Sequence, residues 1–262
     1  MPRNILIIDD HDDLATALDA EFSSRGYQVT VTETRAAAVK EVAKSSFDVV
    51  ITDLDGTNLN CAEDETGAMN CLPEPLEGGR SNVKVFKICL RDLVKKGFNE
   101  SEVEGIVRTT LDYKAKYIDR GPKIKDRHEK IEFVMPSVIS LMNDILTYLI
   151  KRVEKLGVVN PERSNLFVAL DEAFVNAVKH GNKFDNTKLV QISVEIRPGT
   201  ATFTIEDEGE GFDVATIPDP TDPQNLFKTS GRGVMFIYNI MDEVTYNQRG
   251  NRLTMVKHQD PE

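Results

Sequence analysis

The chain has 262 residues, of which 40% are hydrophobic and 29% are charged, and its formal net charge at pH 7 is −11. This length predicts about two domains, and the composition is typical of globular proteins rather than of disordered or fibrous chains. The acidic balance disfavours nucleic acid as a partner, because a negative surface repels phosphate backbones.

Cysteine use and hydropathy bear on the cellular compartment. The three cysteines, Cys61, Cys71 and Cys89, are few and odd in number, which predicts reduced thiols rather than a disulfide framework. No apolar run approaches the length of a membrane-spanning helix, and the N-terminus lacks the pattern of a secretion signal. We therefore expect a cytoplasmic protein with no membrane partner.

The N-terminal part of the chain alternates short apolar runs with helical patterns. Apolar runs at residues 4–8 and 48–52 predict buried strands, and an alternating run at 27–32 predicts a strand between them. Helical patterns fill the two gaps and end at Gly26 and near Lys44. This β-α-β-α-β order predicts a doubly wound α/β domain with a parallel sheet.

Acidic residues stand where two of these strands end. Asp9 and Asp10 follow the first strand, and Asp53 follows the third. Because the carboxyl ends of parallel strands meet at one edge of a sheet, the three carboxylates are expected to lie together. Such a set of oxygen ligands would bind a hard cation such as Mg²⁺.

The run at residues 7–10, Ile-Ile-Asp-Asp, together with Asp53, resembles a response-regulator receiver domain. The resemblance implies a flavodoxin-like fold, Mg²⁺ bound by Asp9, Asp10 and Asp53, and Asp53 as the acceptor of a phosphoryl group from an upstream phosphodonor kinase. The pattern departs from that family after Asp53, because residues 56–82 show no helical or strand period. We therefore expect a shortened, divergent receiver-like domain.

Two features complete the predicted N-terminal domain. Residues 83–89 have the composition of a strand, and Lys87 within it would take the place of the lysine of a receiver site. Apolar residues at helical spacing up to residue 111 predict a closing helix.

The stretch 53–57, Asp-Leu-Asp-Gly-Thr, also resembles the signature of haloacid-dehalogenase-like phosphatases. In that alternative Asp53 would be the nucleophile and Asp55 the general acid. The family also needs a later lysine and an acidic pair on a further strand, and no such set is evident before residue 130. The phosphatase remains an alternative to the receiver-like domain.

A charged stretch separates the two predicted domains. Its composition predicts a linker at 119–130 between a receiver-like domain at 1–118 and a second domain at 131–262. His128 with Glu129 resembles the phosphoacceptor box of sensor histidine kinases, which is an alternative function. That box needs a helical hairpin, whereas a strand is predicted immediately afterwards, so His128 is expected to be a solvated linker residue.

The second domain contains a helix, predicted over residues 165–182, that is apolar on most of its surface. Glu172, Asn176 and His180 project from one stripe of this helix at a spacing of four residues. Polar side chains in such surroundings need partners, which a metal–nucleotide complex could supply. No role follows from the sequence for His180 or for the neighbouring Asp171.

Glycine motifs follow a predicted β-hairpin that starts at residue 189. Asp207 leaves the second strand into Gly209 and Gly211, and a carboxylate there would accept a hydrogen bond from the exocyclic amine of adenine. The Pro- and Asp-rich segment 214–226 predicts a mobile lid. The run 228–233 then opens a helix, whose free N–H groups favour phosphates.

In this order the motifs resemble a GHKL-type ATP-binding domain, and among such domains the anti-sigma-factor serine/threonine kinases. The resemblance implies an α/β sandwich with a mixed, mainly antiparallel sheet, and ATP with Mg²⁺ as cofactors. It makes Asn176 the ligand of Mg²⁺ and Glu172 the catalytic base. The residues that it assigns to ATP binding are Asn176, Asp207, Gly209, Gly211, Lys228, Ser230, Gly231, Arg232, Gly233 and Thr254.

Together the two resemblances predict a signalling protein of the two-component or partner-switching kind. An ATP-dependent serine/threonine kinase would be regulated by a receiver-like domain. The resemblance implies an anti-sigma-factor antagonist as substrate, a sigma factor as a further partner, and a homodimer. The alternative from another class is a non-catalytic ATP-binding switch that sequesters a partner.

Overall fold

A computed structural model describes residues 3–11, 13–59, 71–73, 83–120, 128–160, 164–214 and 232–259. The chain forms two compact units, Met1–Pro136 and Ser137–Glu262. Cys61, all but the first residue of the predicted lid, and the site candidates Lys228, Ser230 and Gly231 lie outside the described residues.

The N-terminal unit is an α/β domain. Its strands are β1 Asn4–Asp9, β2 Gln28–Thr32, β3 Val49–Asp55, β4 Val83–Cys89 and β5 His128–Pro136. Its helices are α1 Asp13–Ser24, α2 Arg35–Lys44, α3 Arg91–Lys96 and α4 Glu100–Tyr113, which continues into a π-helical turn at Lys114–Ile118. The strand order is β2-β1-β3-β4-β5, and β1 and β3 are buried except for one end residue each, Asn4 and Asp55.

The predicted parallel sheet is correct for the first three strands and wrong for the fourth. Strand β1 pairs in parallel with β2 and β3, whereas β4 runs antiparallel to β3 with Asp55 opposite Lys84. An antiparallel neighbour begins at the end where the previous strand finished, so it needs no helical crossover. The only described element directly after β3 is a short 3₁₀ turn at Gly56–Leu59, which fits this connection.

Strand β5 begins earlier than predicted and takes in the end of the expected linker. His128 is its first residue, so His128 lies in a strand and not in a solvated linker. Strand β5 pairs in parallel with β4 from Val83 opposite His128 to Cys89 opposite Val134. This ladder joins β5 to the N-terminal unit, so the two units divide after Pro136.

The expectation of reduced cysteines is wrong for one pair. Cys71 and Cys89 form a disulfide, with their Cα atoms 5.4 Å apart. Because the sequence holds no close-spaced cysteine motif, the pairing depends on the tertiary fold, which brings residue 71 to the end of β4. Cys89 is fully buried and Cys71 nearly so.

Reduction of this disulfide is expected to lower the free energy of unfolding by roughly 3 kcal/mol, because it closes a loop with a sequence separation of 18 residues. Urea unfolding of the N-terminal unit with and without reductant measures the difference. Cys61→Ser, which leaves the pair intact, should keep the difference, and Cys71→Ser should abolish it. Equal unfolding curves in wild type would contradict the expectation.

The C-terminal unit is an α/β sandwich with an antiparallel sheet. Its strands are β6 Leu189–Arg197, β7 Thr200–Asp207, β8 Glu243–Tyr246 and β9 Arg252–His258, in the order β6-β7-β9-β8. Its helices are α5 Met142–Lys155, α6 Leu166–Val175 with a π-helical continuation at Asn176–Gly181, and α7 Arg232–Ile240. Alternate residues of β7 are buried, so one face of the sheet forms the core.

No helix among the described residues is long and apolar enough to cross a membrane.

Candidate functional site

Helix α6 presents two of the predicted site residues beside a buried face. The apolar residues Leu166, Ala169, Leu170, Ala173 and Phe174 are buried, while Glu172 and Asn176 are half-buried. From Asn176 the helix widens into the π-helical turn, an irregularity that is common at functional sites. His180 is exposed and again gains no role.

The end of this turn is fixed by a residue that the sequence analysis missed. Asn182 is fully buried, and its Nδ2 donates hydrogen bonds to Ser137 Oγ at 2.7 Å and to the Leu189 carbonyl at 2.8 Å. The two residues that follow, Lys183 and Phe184, have positive φ angles of 57° and 58°. A left-handed pair without glycine is rare, and it ends the helix sharply. Only the tertiary fold reveals this fixing point, because Ser137 is 45 residues away in sequence.

The end of β7 and the π-helical turn meet at Asp207. This residue is 9% exposed, and the Gly209 N–H donates to its Oδ1 at 2.8 Å. A Cβ atom at Gly181 would overlap the carboxylate of Asp207, and one at Gly209 would overlap the carbonyl of Gly181. The structure therefore brings together two predicted motifs, the helix that ends at Gly181 and the Asp207–Gly211 run, with glycine required where the backbones approach.

Electrostatics at Asp207 are set by opposing influences. Burial raises the pKa of the Asp207 carboxyl, while the Gly209 N–H and the charge of Arg249 act in the opposite direction. One carboxylate oxygen is engaged by the backbone, so the other can accept a hydrogen bond from a ligand. A largely buried carboxylate with one free acceptor oxygen suits an amine on a flat ring.

The start of α7 lies against Glu172. Arg232 is the first residue of this helix, and a Cβ atom at Gly233 would overlap the Glu172 carboxylate. The missing side chain at Gly233 thus lets an acidic group reach the first turn of α7. Glu172, Asn176, Asp207, Gly209 and Gly233 all belong to one group of packed elements, α6, its π-helical turn, the end of β7 and α7.

Thr254 is not part of this group. It lies opposite Thr204 in the ladder between β7 and β9, whereas Asp207 is on the face that carries Ile205 and its partner Leu253. Because side chains alternate between the two faces of a sheet, Thr254 points away from Asp207. The residue of this region that contacts Asp207 is Asn251, whose Nδ2 donates to the Asp207 carbonyl at 2.7 Å.

The predicted phosphoacceptor Asp53 is buried between two lysines. It is 1% exposed, with Lys114 Nζ 3.0 Å from Oδ2 and Lys84 Nζ 3.3 Å from Oδ1. Lys87, the predicted partner, is opposite Thr52 and so lies on the other face of the sheet, where it pairs with Glu132 at 2.7 Å. Lys84 was missed because its position beside Asp53 depends on the antiparallel register of β4.

The three predicted Mg²⁺ ligands of this unit have different surroundings. Asp9 accepts hydrogen bonds from the N–H groups of His11, Leu14 and Ala15, so both of its oxygens serve the start of α1, and burial raises its pKa. Asp53 is engaged by lysines. Asp10 instead lies with His11 and Asp55, and their ligand atoms are all within 4.8 Å of one another. Of the three, Asp10 is the residue whose carboxylate lies together with two other candidate ligands, and Mg²⁺ binding by Asp9, Asp10 and Asp53 stays a prediction.

Comparison with known proteins agrees with the two units. The sequence model of the histidine kinase-like ATPase domain matches residues 143–257, and that of the response regulator receiver domain matches residues 5–59. The chain is 27% identical over 143 residues to the serine-protein kinase RsbW of Staphylococcus aureus strains JH9 and Newman. This match covers 52% of the chain and 90% of each relative. The receiver match ends near the point where the sequence pattern departs from that family.

Proposed function

We propose that the chain, whose residues 5–59 match the model of the response regulator receiver domain and residues 143–257 that of the histidine kinase-like ATPase domain, is an ATP-dependent serine/threonine kinase. Its similarity to a serine-protein kinase supports the assignment to partner-switching signalling. The proposed substrate is an anti-sigma-factor antagonist, and a sigma factor is the proposed second partner of what would be a homodimer. The proposed setting is the cytoplasm, for which the Cys71–Cys89 disulfide is unusual.

The observation that carries the proposal is the convergence on Asp207. Its carboxylate packs so closely against Gly181 and Gly209 that a Cβ atom at either position would overlap it, and the Gly209 N–H fixes its orientation. Asp207 would accept a hydrogen bond from the adenine amine. The first turn of α7, at Gly233, would place its N–H groups near the phosphates. A carboxylate fixed in this way and a helix N-terminus in the same unit support the assignment to an adenine nucleotide.

The residues on α6 would act at the other end of the nucleotide. Asn176 would hold Mg²⁺, which when bound neutralises charge on the triphosphate. Glu172 would accept the proton of the incoming serine or threonine hydroxyl. Phosphoryl transfer depends mainly on positioning and on charge compensation, so these few groups suffice for the reaction.

Glu172→Gln tests the kinase directly. The variant is expected to bind MgATP as wild type does and to transfer label from [γ-³²P]ATP roughly 10²- to 10⁴-fold more slowly, because the general base is lost. The substrates to be used are the anti-sigma-factor antagonist proteins of the same genome. The control is Asp171→Asn, which changes the neighbouring carboxylate on a different side of α6.

The outcomes separate the candidate functions. Transfer at the wild-type rate by Glu172→Gln would remove Glu172 from the reaction. If wild type binds ATP but labels no antagonist, the chain is a nucleotide-dependent switch that sequesters its partner. A sensor histidine kinase would instead give acid-labile label on His128, and the strand position of His128 argues against it. Phosphate release that depends on Asp53 and Asp55 would support the phosphatase.

Regulation by the N-terminal unit is part of the proposal. A phosphoryl group on Asp53 would meet the ammonium groups of Lys84 and Lys114, which already lie within ion-pair distance of its carboxylate. Both are expected to compensate the added negative charge. Incubation with acetyl phosphate, followed by mass spectrometry of wild type and Asp53→Asn, detects the acyl phosphate. A mass increase of equal size in Asp53→Asn would contradict Asp53 as the acceptor.

A further inference from the structure

The turn between β8 and β9 is a compact element held by its own side chains. Asn247 Oδ1 accepts hydrogen bonds from the N–H groups of Asn251 and Arg252 at 3.1 and 3.2 Å. Asn247 Nδ2 donates to Asn251 Oδ1 at 3.0 Å, and Gly250 adopts a positive φ of 76°. Because these hydrogen bonds are internal, the shape of the turn does not depend on its contacts with other parts of the unit.

This turn binds the loop that follows Asp207 at three successive points. The Asp207 N–H donates to the Asn251 carbonyl at 3.0 Å, and the Phe212 N–H donates to the Arg249 carbonyl at 3.1 Å. Between these ends, Arg249 Nη2 donates to the Gly209 carbonyl at 2.8 Å. The loop from Asp207 to Phe212 is therefore held at its start, middle and end by one short turn.

The two backbones are in direct contact. A Cβ atom at Gly211 would overlap the carbonyl of Arg249, and one at Gly250 would overlap the carbonyl of Phe212. The ring of Phe212 also packs edge-on against Tyr246, with centroids 5.3 Å apart. The close fit leaves little freedom for the loop to shift while the turn stays in place.

From these contacts we infer that Arg249 is a positioning residue for nucleotide binding, which fixes the Gly209 carbonyl so that the Gly209 N–H stays aimed at Asp207. The inference rests on the proposed ATP site. Arg249 itself would not touch the nucleotide. Its side chain binds the carbonyl of Gly209. The N–H of the same glycine orients the Asp207 carboxylate, which would recognise adenine.

The charge of Arg249, like its hydrogen bond, favours binding of an amine by Asp207. Burial raises the pKa of Asp207, and among the charged groups near it Arg249 and Lys188 lower that pKa while Glu206 raises it. A guanidinium group at this place favours the ionised carboxylate, which is the form that accepts a hydrogen bond from an amine. Position and protonation of Asp207 thus both depend on the turn.

Calorimetric titration of the full-length protein with MgATP and with MgGTP tests the inference, at a temperature where every variant is folded. Arg249→Gln is expected to bind MgATP roughly tenfold more weakly, because a hydrogen bond and a compensating charge are lost. Arg249→Lys, which keeps a charged donor, should recover most of the affinity. Any binding of MgGTP should be the same in wild type and variant, since guanine carries a carbonyl where adenine carries its amine. The matched control is Arg252→Gln, at the start of β9 directly after the turn, where the arginine pairs with the half-buried Glu206 at 2.9 Å.

A structural signature separates positioning from loss of stability. The ¹⁵N–¹H resonance of Gly209 should move in Arg249→Gln and stay in place in Arg252→Gln, because that N–H is the group whose bond to Asp207 is loosened. Wild-type affinity in Arg249→Gln, or no recovery in Arg249→Lys, would overturn the inference and leave the ATP site standing. Absence of MgATP binding by wild type would overturn both.

Discussion

Asp207→Asn is expected to weaken the binding of MgATP by roughly 10- to 150-fold, because a hydrogen bond to a charged acceptor contributes about 1.5–3 kcal/mol. Asparagine has nearly the same shape and keeps an oxygen for the Gly209 N–H, which lies 2.8 Å from Oδ1 in the wild type. What it loses is the negative charge and one acceptor, in a site where the backbone of Gly181 lies against the carboxylate. Calorimetric titration of the full-length protein measures the change.

The control for this variant is Glu206→Gln. Glu206 is the neighbouring carboxylate, but it lies on the opposite face of β7 and pairs with the exposed Arg252. Removal of its charge should leave the affinity nearly unchanged. Wild-type affinity in Asp207→Asn would show that the adenine amine is bound elsewhere, and the proposed orientation of the nucleotide would then be wrong.

The same carboxylate predicts a dependence on pH. Burial raises the pKa of Asp207 above its ordinary value of 3.8, so the native state binds a proton more tightly than the unfolded state. Stability therefore falls as the pH rises from 3.8 through the native pKa, and a neutral residue should not lower the unfolding temperature at pH 7. The affinity for MgATP is expected to depend on pH in the opposite direction, because it is lost as the pH falls and Asp207 becomes protonated.

Local patterns in the sequence were sufficient to predict the elements that carry the proposed nucleotide site. Helix α6 follows from its apolar spacing, and β7 follows from strict alternation up to Asp207. Each of these two patterns is contained within one short stretch of the chain, so no knowledge of distant partners is needed to predict the element. The order of the motifs along the chain then indicated a GHKL-type ATP-binding domain, which a single pair of glycines could not do.

Features that depend on long-range pairing were not accessible in this way. The direction of β4 is set by its ladder with β3, and a short apolar run looks the same in either direction. The wrong prediction for Lys87 has the same cause. Because β4 runs antiparallel to β3, its first residues lie beside the end of β3, and Lys84 rather than Lys87 reaches Asp53. The face on which Thr254 lies likewise follows from the register between β7 and β9. Register fixes every side chain on a strand at once.

Asp53→Ala is expected to lower the free energy of unfolding of the N-terminal unit by about 3–5 kcal/mol, because it leaves buried ammonium groups without their anion. Lys114 is 3% exposed at its side chain and lies 3.0 Å from Asp53. Burial alone would lower the pKa of Lys114, but Asp53 and Asp119 raise it above its ordinary value, so the side chain is charged in the native state. Hydrogen exchange of the amides of β1 and β3 in the full-length protein measures the change.

The control is Asp55→Ala, which removes a carboxylate two residues away that is 36% exposed at its side chain and pairs with His11. An exposed pair of this kind contributes about 0–1 kcal/mol, so this variant should resemble wild type. Unchanged exchange in Asp53→Ala would contradict the buried ion pairs.

A triple variant separates the loss of the anion from the loss of packing. If Asp53→Leu is combined with Lys84→Met and Lys114→Met, the two ammonium groups are removed together with their shared anion, and much of the stability should return. This result would change how signalling by Asp53 variants is understood. An alanine at this position would remove the proposed phosphoacceptor and also destabilise the unit, so loss of signalling alone would not demonstrate phosphorylation. The triple variant lacks the acceptor in a stable unit, and it is therefore the form in which the regulatory role of Asp53 can be measured.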